Sequence, residues 1–387
     1  MYVALNAWFW DQPATGSGQY VRHLLPALAA LEPETRFGPV VPGGTEIQCS
    51  EPNIAPLETS DLELRTSDLY KLWFEQVAFR RATVKQGADV AHIPYFASPA
   101  FPTMPTVVTV HDLIPMVLPA YRRSALVRAY TWLVAAGARR ADAIIADSQC
   151  SKRDIVAHLK VKPQRVHVIP LAASPQFHPA TSGEVEQARR RYRLPDRYAL
   201  YLGGFDQRKN VGALLRAFAQ VQAGGFRTLR LGSGRITDLG LVIAGRLPVS
   251  DTDFTPDPQR IAAQLGIEES VVFPGWIDEQ DKPALYSGAE LFVFPSTYEG
   301  FGLPVLEAMA CGTPVVTSST SSLPEVVGEA GLAVDPDDIN ALAQAISAVL
   351  GDAERRQAMR QTSLSQAGRF SWERTAKATH AVYEDIT

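Results

Sequence analysis

The stretch Glu290-Leu291-Phe292-Val293-Phe294-Pro295-Ser296-Thr297-Tyr298-Glu299-Gly300-Phe301-Gly302-Leu303-Pro304-Val305-Leu306-Glu307-Ala308-Met309-Ala310-Cys311-Gly312 decides the reading of this chain. Its first part is a continuous apolar run that reads as a buried strand ending at Pro295. Its last part reads as a helix stopped by Gly312. Glu299 therefore stands at the carboxyl end of a strand, and Glu307 lies inside the next helix. Between them Gly300 and Gly302 leave backbone amides uncovered. Carboxylates grip vicinal hydroxyls, and bare amides at a helix start grip an anion. A nucleotide sugar offers both groups.

Working outward, the same alternation of apolar run and helical stretch fills residues 198–340. Strands are expected at 198–203, 240–244, 271–273, 291–294, 313–316 and 332–334, with helices at 211–223 and 280–288 between them. The pattern occurs a first time before residue 172. There strands are expected at 2–6, 37–41, 90–93, 106–110, 143–146 and 165–169, and helices at 19–31, 69–85, 124–139 and 151–159. Alternating β and α with apolar strands implies a doubly wound parallel sheet. Residues 172–183, with two prolines and small polar residues, read as a linker between two such sheets. Residues 224–238, which include Gly232-Ser233-Gly234, and the Pro- and Asp-rich 248–258 read as surface excursions. The last segment, 371–386, reads as a helix.

After the first strand of the second half comes Leu202-Gly203-Gly204-Phe205-Asp206-Gln207-Arg208-Lys209-Asn210, a glycine turn delivering two cations to a helix start. That arrangement suits a diphosphate. Together with the glutamate pair, it resembles the retaining glycosyltransferases of family 4, the group 1 enzymes of GT-B fold that include glycogen-synthase-like and mannosyltransferase-like members. The resemblance is strong over 198–340 and looser over 1–170. It implies an α/β fold of two Rossmann-like domains facing a central cleft. The acceptor domain would be 1–172, the nucleotide-sugar domain 173–370, and the terminal helix 371–387 would cross back to the first domain.

The resemblance also implies roles for individual residues. Glu299 meets the donor sugar, Glu307 the nucleotide ribose, and Arg208 and Lys209 the leaving diphosphate. Gly204, Gly300, Phe301, Gly302 and Leu303 complete the donor contacts, and Phe273, in Phe273-Pro274-Gly275-Trp276, lies near the base. Gly16 and Gly18 form the small-residue loop after the first strand that lets the backbone approach the donor. His111, which ends the apolar strand before Asp112, meets the donor sugar near the reacting carbon. The carried-over catalytic set is thus His111, Arg208, Lys209 and Glu299. His92, also ending a strand, and Asp112 are the acceptor candidates. Asp147-Ser148-Gln149-Cys150-Ser151 reads first as an ordinary helix cap, with a family likeness to a serine-rich turn lining the cleft.

The bulk properties narrow the field. A length of 387 residues suits two domains. A net charge of −4 argues against nucleic-acid binding. Cys49, Cys150 and Cys311 are odd in number and far apart, so neither a disulfide framework nor a zinc site is expected, and a reducing cytoplasm fits. Residues 1–10 read as a short strand-like run without a basic lead, so no signal peptide is expected, and no stretch reaches 18 apolar residues without a charge, so no spanning helix is expected. Tyr121-Arg122-Arg123 and Arg139-Arg140 flank an apolar helical stretch with Tyr130, Trp132 and Leu133, a face suited to peripheral contact with the inner side of a membrane.

Neither a His-Glu-x-x-His run nor an Asp-x-Asp clamp after a strand appears; Asp251-Thr252-Asp253 lies in the Pro-rich excursion. No metal and no cofactor are expected. The expected reaction is metal-independent transfer of a hexose, mannose first, with retention. The donor is a nucleoside-diphosphate sugar, GDP-mannose or a UDP-hexose, and the acceptor a saccharide or lipid-linked saccharide in polysaccharide assembly. Two rivals share the fold. A sugar-nucleotide epimerase would isomerise the donor without an acceptor. A non-catalytic nucleotide-sugar-binding protein would be favoured by loss of Arg208, Lys209, Glu299 or Glu307, and all four are present. A nicotinamide dehydrogenase is disfavoured, because Gly16-Ser17-Gly18 lacks the third glycine of the dinucleotide fingerprint.

Overall fold

The structure is a computed structural model that describes residues 1–59, 68–122, 124–223 and 239–387. The expected excursion at 224–238 and Arg123 lie outside the described residues. The chain forms two compact units, Met1–Ala172 with Ser371–Thr387, and Ala173–Phe370.

The first unit is built on seven strands: β1 (Tyr2–Asn6), β2 (Arg36–Val41), β3 (Leu57–Glu58), β4 (Val90–Ile93), β5 (Thr106–Val110), β6 (Ala143–Ala146) and β7 (Val166–Val168). They lie in the order β3-β2-β1-β4-β5-β6-β7, every pair parallel. Residues of β1, β4, β5 and β6 are buried throughout, the consequence of helices on both faces, and this is why those strands are largely apolar, with Asn6, His92, Thr106 and Thr109 as buried polar exceptions. The strand order reverses between β1 and β4, so the crevice outside their carboxyl ends is the topological switch point, where ligands of such sheets bind.

The helix expected over 69–85 is instead two α-helical pieces, Asp68–Trp73 and Phe79–Gln86, joined by a π turn at Phe74–Ala78. The terminal helix Trp372–Ile386 belongs to this unit and packs on the helix Gly16–Leu31. Ser371 caps its start, Thr375 Oγ1 donates to the Pro170 carbonyl at 2.8 Å, and the Tyr383 hydroxyl lies 2.7 Å from His92 Nδ1.

The second unit repeats the scheme with six parallel strands: β8 (Arg197–Leu202), β9 (Leu239–Ala244), β10 (Val271–Gly275), β11 (Leu291–Phe294), β12 (Val315–Ser318) and β13 (Leu332–Val334). Their order is β10-β9-β8-β11-β12-β13, so the switch point falls between β8 and β11. The loops following these two strands are the two stretches singled out in the sequence. The helix after β11 runs Leu303–Ala310 and starts earlier than its apolar pattern shows. Pro304 suits its first turn, and Gly302 precedes it at a φ of 114°, with a Cβ there falling 2.7 Å from Leu323 Cδ2, so only glycine fits.

Among the described residues, no helix is long and apolar enough to cross a membrane.

Candidate active site

In the second unit the loops after β8 and β11 are clamped together by backbone. Thr297 N donates to the Arg208 carbonyl at 2.7 Å, and Ser296 Oγ lies 3.1 Å from the same oxygen. The turn after β8 is held by the Tyr201 hydroxyl donating to the Gly204 carbonyl at 2.5 Å, and by Asn210 in the left-handed region, whose Nδ2 donates to the Pro336 carbonyl at 2.8 Å. At this turn a Cβ on Gly245 would fall 2.1 Å from the Gly203 carbonyl oxygen, so the end of β9 must also be bare.

The clamp brings Arg208, Lys209 and Glu299 into one ion cluster. Lys209 Nζ is 2.6 Å from Glu299 Oε1, and an Arg208 terminal nitrogen is 2.9 Å from Oε2. Arg208 also donates to the Tyr298 carbonyl at 3.0 Å, and its Nε lies 3.2 Å from Asp206 Oδ1. Ser296 Oγ is 2.6 Å from Glu299 Oε1, and Ser321 Oγ braces the Glu299 backbone, accepting from its N–H at 3.0 Å and donating to its carbonyl at 2.5 Å. Burial pushes the Glu299 carboxyl up, but Lys209 and then Arg208 outweigh burial, and the group sits below the usual carboxylate range. The result is two fixed cations around one carboxylate, each side chain keeping between 11% and 15% of its surface exposed.

Glu307 is in different company. It is 4% exposed, and the Tyr286 hydroxyl donates to its Oε2 at 3.0 Å. Burial pushes its carboxyl up to about 7, against the pull of Lys282. Phe301 is buried and packs edge-on against Phe370, so its side chain fixes the loop. Gly300 and Gly302 are buried, and Leu303 is the half-buried first residue of its helix. Gly204 is exposed, with room for approach. Phe273 lies on edge strand β10, and beyond its end Trp276 is 48% exposed with the Arg246 guanidinium 5.5 Å from its ring centroid.

In the first unit, the register pairs Val110 of β5 with Ala146 of β6. The next residues, His111 and Asp147, therefore emerge side by side. Asp147 Oδ2 is 2.7 Å from His111 Nδ1, and the Pro94 carbonyl is 3.2 Å from Nε2. Both ring nitrogens thus face acceptors, which favours the imidazolium. Burial works against that charge, but the Asp147 carboxylate and its hydrogen bond, with Asp112 and the Pro94 carbonyl, outweigh it and raise the His111 pKa. Asp147 was the residue missed in the sequence, hidden by its resemblance to a helix cap. The available signal was its position one residue beyond an apolar strand; its nearness to His111 comes from the pairing of β5 with β6.

Gly18 sits where a Cβ would fall 2.0 Å from the Gln12 carbonyl oxygen, while Gly16 has open space around it; Thr15 Oγ1 caps this helix start by accepting from Gly18 N at 3.1 Å. The two acceptor candidates lie in different settings. His92 is completely buried, with Thr109 Oγ1 2.9 Å from Nε2 and Tyr383 on Nδ1, and burial pushes its pKa down to about 3. It is an interior residue tying the terminal helix to the sheet, with no face for an acceptor. Asp112 Oδ1 accepts from Ile114 N at 3.0 Å and caps a turn.

Two doubly wound parallel sheets, the second with a cation pair and a carboxylate at its switch point, define a glycosyltransferase of GT-B type. Residues 184–366 match the family described as glycosyl transferases group 1, and residues 14–177 match glycosyltransferase family 4. The chain belongs to this family and is a glycosyltransferase.

It is 33% identical over 283 residues to the O-antigen chain mannosyltransferase B of Escherichia coli, covering 72% of this chain and 70% of that protein. It is 28% identical to the MMP alpha-(1->4)-mannosyltransferase of Mycolicibacterium hassiacum, over 99% of this chain and 98% of that protein. The serotype-specific mannosyltransferase WbdA of Escherichia coli is 31% identical over 286 residues, covering 73% of this chain but only 33% of that protein. Among solved structures, the sucrose-phosphate synthase of Thermosynechococcus elongatus superposes with a TM-score of 0.75 at 26% identity, covering 100% of this chain and 99% of that one. WaaG, a glycosyltransferase involved in lipopolysaccharide biosynthesis, shares the fold with a TM-score of 0.68 at 17% identity, the two chains covering each other fully.

Proposed function

We propose that this glycosyltransferase moves mannose from GDP-mannose to a saccharide or lipid-linked saccharide, with retention of configuration and without a divalent metal; a UDP-hexose is the next donor in line. The observation that carries this reading is the Arg208–Lys209–Glu299 cluster at the switch point of the second sheet. As the glycosidic bond breaks, negative charge grows on the departing diphosphate. Cations already fixed in place stabilise that charge more than the ground state, which is where rate comes from. Glu299, held ionised by the same cations, accepts hydrogen bonds from sugar hydroxyls, and Glu307 serves the ribose. The exposed Trp276 with Arg246 offers a flat face for the base, and the backbone at Gly16 leaves room for the donor. His111 at the end of β5, its pKa raised by Asp147, is the first unit's contribution to the reacting sugar. The relatives named as mannosyltransferases favour mannose.

The test is a panel of nucleoside diphosphates and their sugars in thermal-shift measurements. GDP and GDP-mannose should raise the melting temperature of the wild type, and that of Arg208→Ala by less. No shift with any nucleoside diphosphate would remove the donor site.

Peripheral contact with the inner face of an anionic membrane is part of the same proposal. On the helix Ala125–Arg140, Leu126 and Trp132 are 70% and 68% exposed, whereas Tyr130 turns inward to Glu75. Arg139 and Arg140 spend donors on the Leu159 and Ala100 carbonyls at 2.9 and 3.1 Å. The apolar anchors are thus Leu126 and Trp132. Trp132→Ala should lower co-sedimentation with phosphatidylglycerol vesicles; equal pelleting would reject the contact.

A further inference from the structure

A second polar constellation lies at the switch point of the first sheet. Asn6 is the last residue of β1, Tyr95 follows β4, and Glu75 is carried by the π turn, a feature often found at functional sites. Glu75 is completely buried. Its Oε2 accepts from the Tyr130 hydroxyl at 2.9 Å, while Oε1 has no hydrogen-bond partner, the Lys71 ammonium standing 3.7 Å away. Asn6 Oδ1 accepts from Trp8 N and from the Tyr95 hydroxyl, both at 3.1 Å, which fixes the orientation of its amide; Nδ2 is buried and unpartnered. An acceptor held only by its ion pair with Lys71 and a donor with no partner thus sit in one cluster, and displacing Lys71 leaves both in need of a polar partner.

The wall of this cluster is aromatic. The Lys71 ammonium lies 5.1, 5.8 and 5.9 Å from the ring centroids of Phe9, Tyr130 and Tyr95. Lys71 is 31% exposed and closes the cage on a flexible stem that can swing to solvent. A pyranose matches what it covers. Its C–H face packs on aromatic rings, and a ring hydroxyl both donates and accepts.

We propose that this cage is the subsite for the terminal sugar of the acceptor. Glu75 and Asn6 pair with its hydroxyls, Phe9 and Tyr130 cover its apolar face, and Lys71 is displaced as the sugar enters. The assignment rests on the transferase reading above and adds acceptor residues to the first unit.

The experiment uses methyl glycosides of mannose, glucose, galactose and N-acetylglucosamine as probes, on the full chain, with the melting temperature recorded for each variant. Saturation-transfer NMR without donor should show a methyl glycoside bound to the wild type, weakened in Phe9→Ala and Glu75→Gln. In transfer assays from GDP-mannose, KM for that glycoside should rise about tenfold in each variant, the loss of one charge-assisted hydrogen bond or one ring face. The donor KM should rise by less than twofold. Folded variants with acceptor KM near wild type, equal rises in both KM values, or no glycoside bound by the wild type would overturn the subsite. A failure of the transferase reading registers separately, as no melting shift of the wild type with GDP-mannose.

Discussion

Replacing Lys209 with Ala separates catalysis from structure. Lys209 Nζ and Glu299 Oε1 are 2.6 Å apart and nearly buried. At an effective dielectric constant near 20, their attraction is about 6 kcal/mol. Desolvation of the two ions offsets most of it, and Arg208 still holds Glu299 at 2.9 Å. A net loss of roughly 1–3 kcal/mol follows, which a protein with about 5–15 kcal/mol of stability survives. The catalytic loss is larger on the proposed reading, in which the ammonium is one of two fixed cations that meet the departing diphosphate. Removing a donor of this kind costs about 10²–10³ in kcat.

A second signature comes from Glu299. Its carboxyl is held low against burial first by Lys209, so it stays ionised and contributes stability above its unfolded value of about 4.5 that is lost as pH falls through its lower folded pKa. Without Lys209, burial gains ground, and the acid limb of the rate profile should move to higher pH. Steady-state kinetics with GDP-mannose from pH 4 to 8, beside thermal scans, measure both. A folded Lys209→Ala with kcat near wild type and an unmoved acid limb would refute the reasoning, as would a loss merely proportional to unfolded protein.

Other predictions draw on different contacts. Glu307→Gln should raise the nucleotide KM with little change in kcat, because a ribose contact is much the same before and during transfer. Its carboxyl is raised by burial from 4.5 to about 7, so its stabilising contribution is present below about 4.5 and lost as pH rises through 7; the fall in melting temperature over that window should shrink in Glu307→Gln, and a steeper fall would contradict it. Gly18→Ala should cost about 1–3 kcal/mol in denaturant titrations, since its Cβ meets the Gln12 backbone, whereas Gly16→Ala should melt like wild type yet raise the donor KM. Asp147→Asn should lower the His111 pKa and move the basic limb of kcat/KM to lower pH; an unmoved limb would mean that His111 charge plays no part.

What was legible in the sequence follows from where the information lies. A parallel sheet covered on both faces writes its strands as largely apolar runs, so β1, β5, β6 and β11 could be placed from residue types alone. Strand β3, two residues at the sheet edge, has no such run to write. Contacts set by register are silent. His111 and Asp147 are neighbours because β5 pairs with β6, and no feature near Asp147 itself distinguishes it from a helix cap. His92 misled for the opposite reason: a histidine ending a strand looks like a site, but Tyr383, 291 positions away, closes over it. Glu75 was lost inside an ordinary helical pattern, because nothing in its neighbours announces a π turn. Arg208, Lys209 and Glu299 were readable as a set through the family resemblance; the carboxylate bridging both cations emerged with the clamp between the loops after β8 and β11.

The central claim is retaining hexosyl transfer driven by this cluster, and proton NMR of a single reaction tests it most directly. GDP-mannose is incubated with the wild-type protein and the methyl glycoside it binds best, and the anomeric signals are followed from the first minutes. The expected result is consumption of the α-linked donor with appearance of an α-linked disaccharide, at a rate lowered about 10²–10³ in Arg208→Ala. A β-linked product, an isomerised nucleotide sugar formed without acceptor, or an intact donor beside folded protein would contradict it.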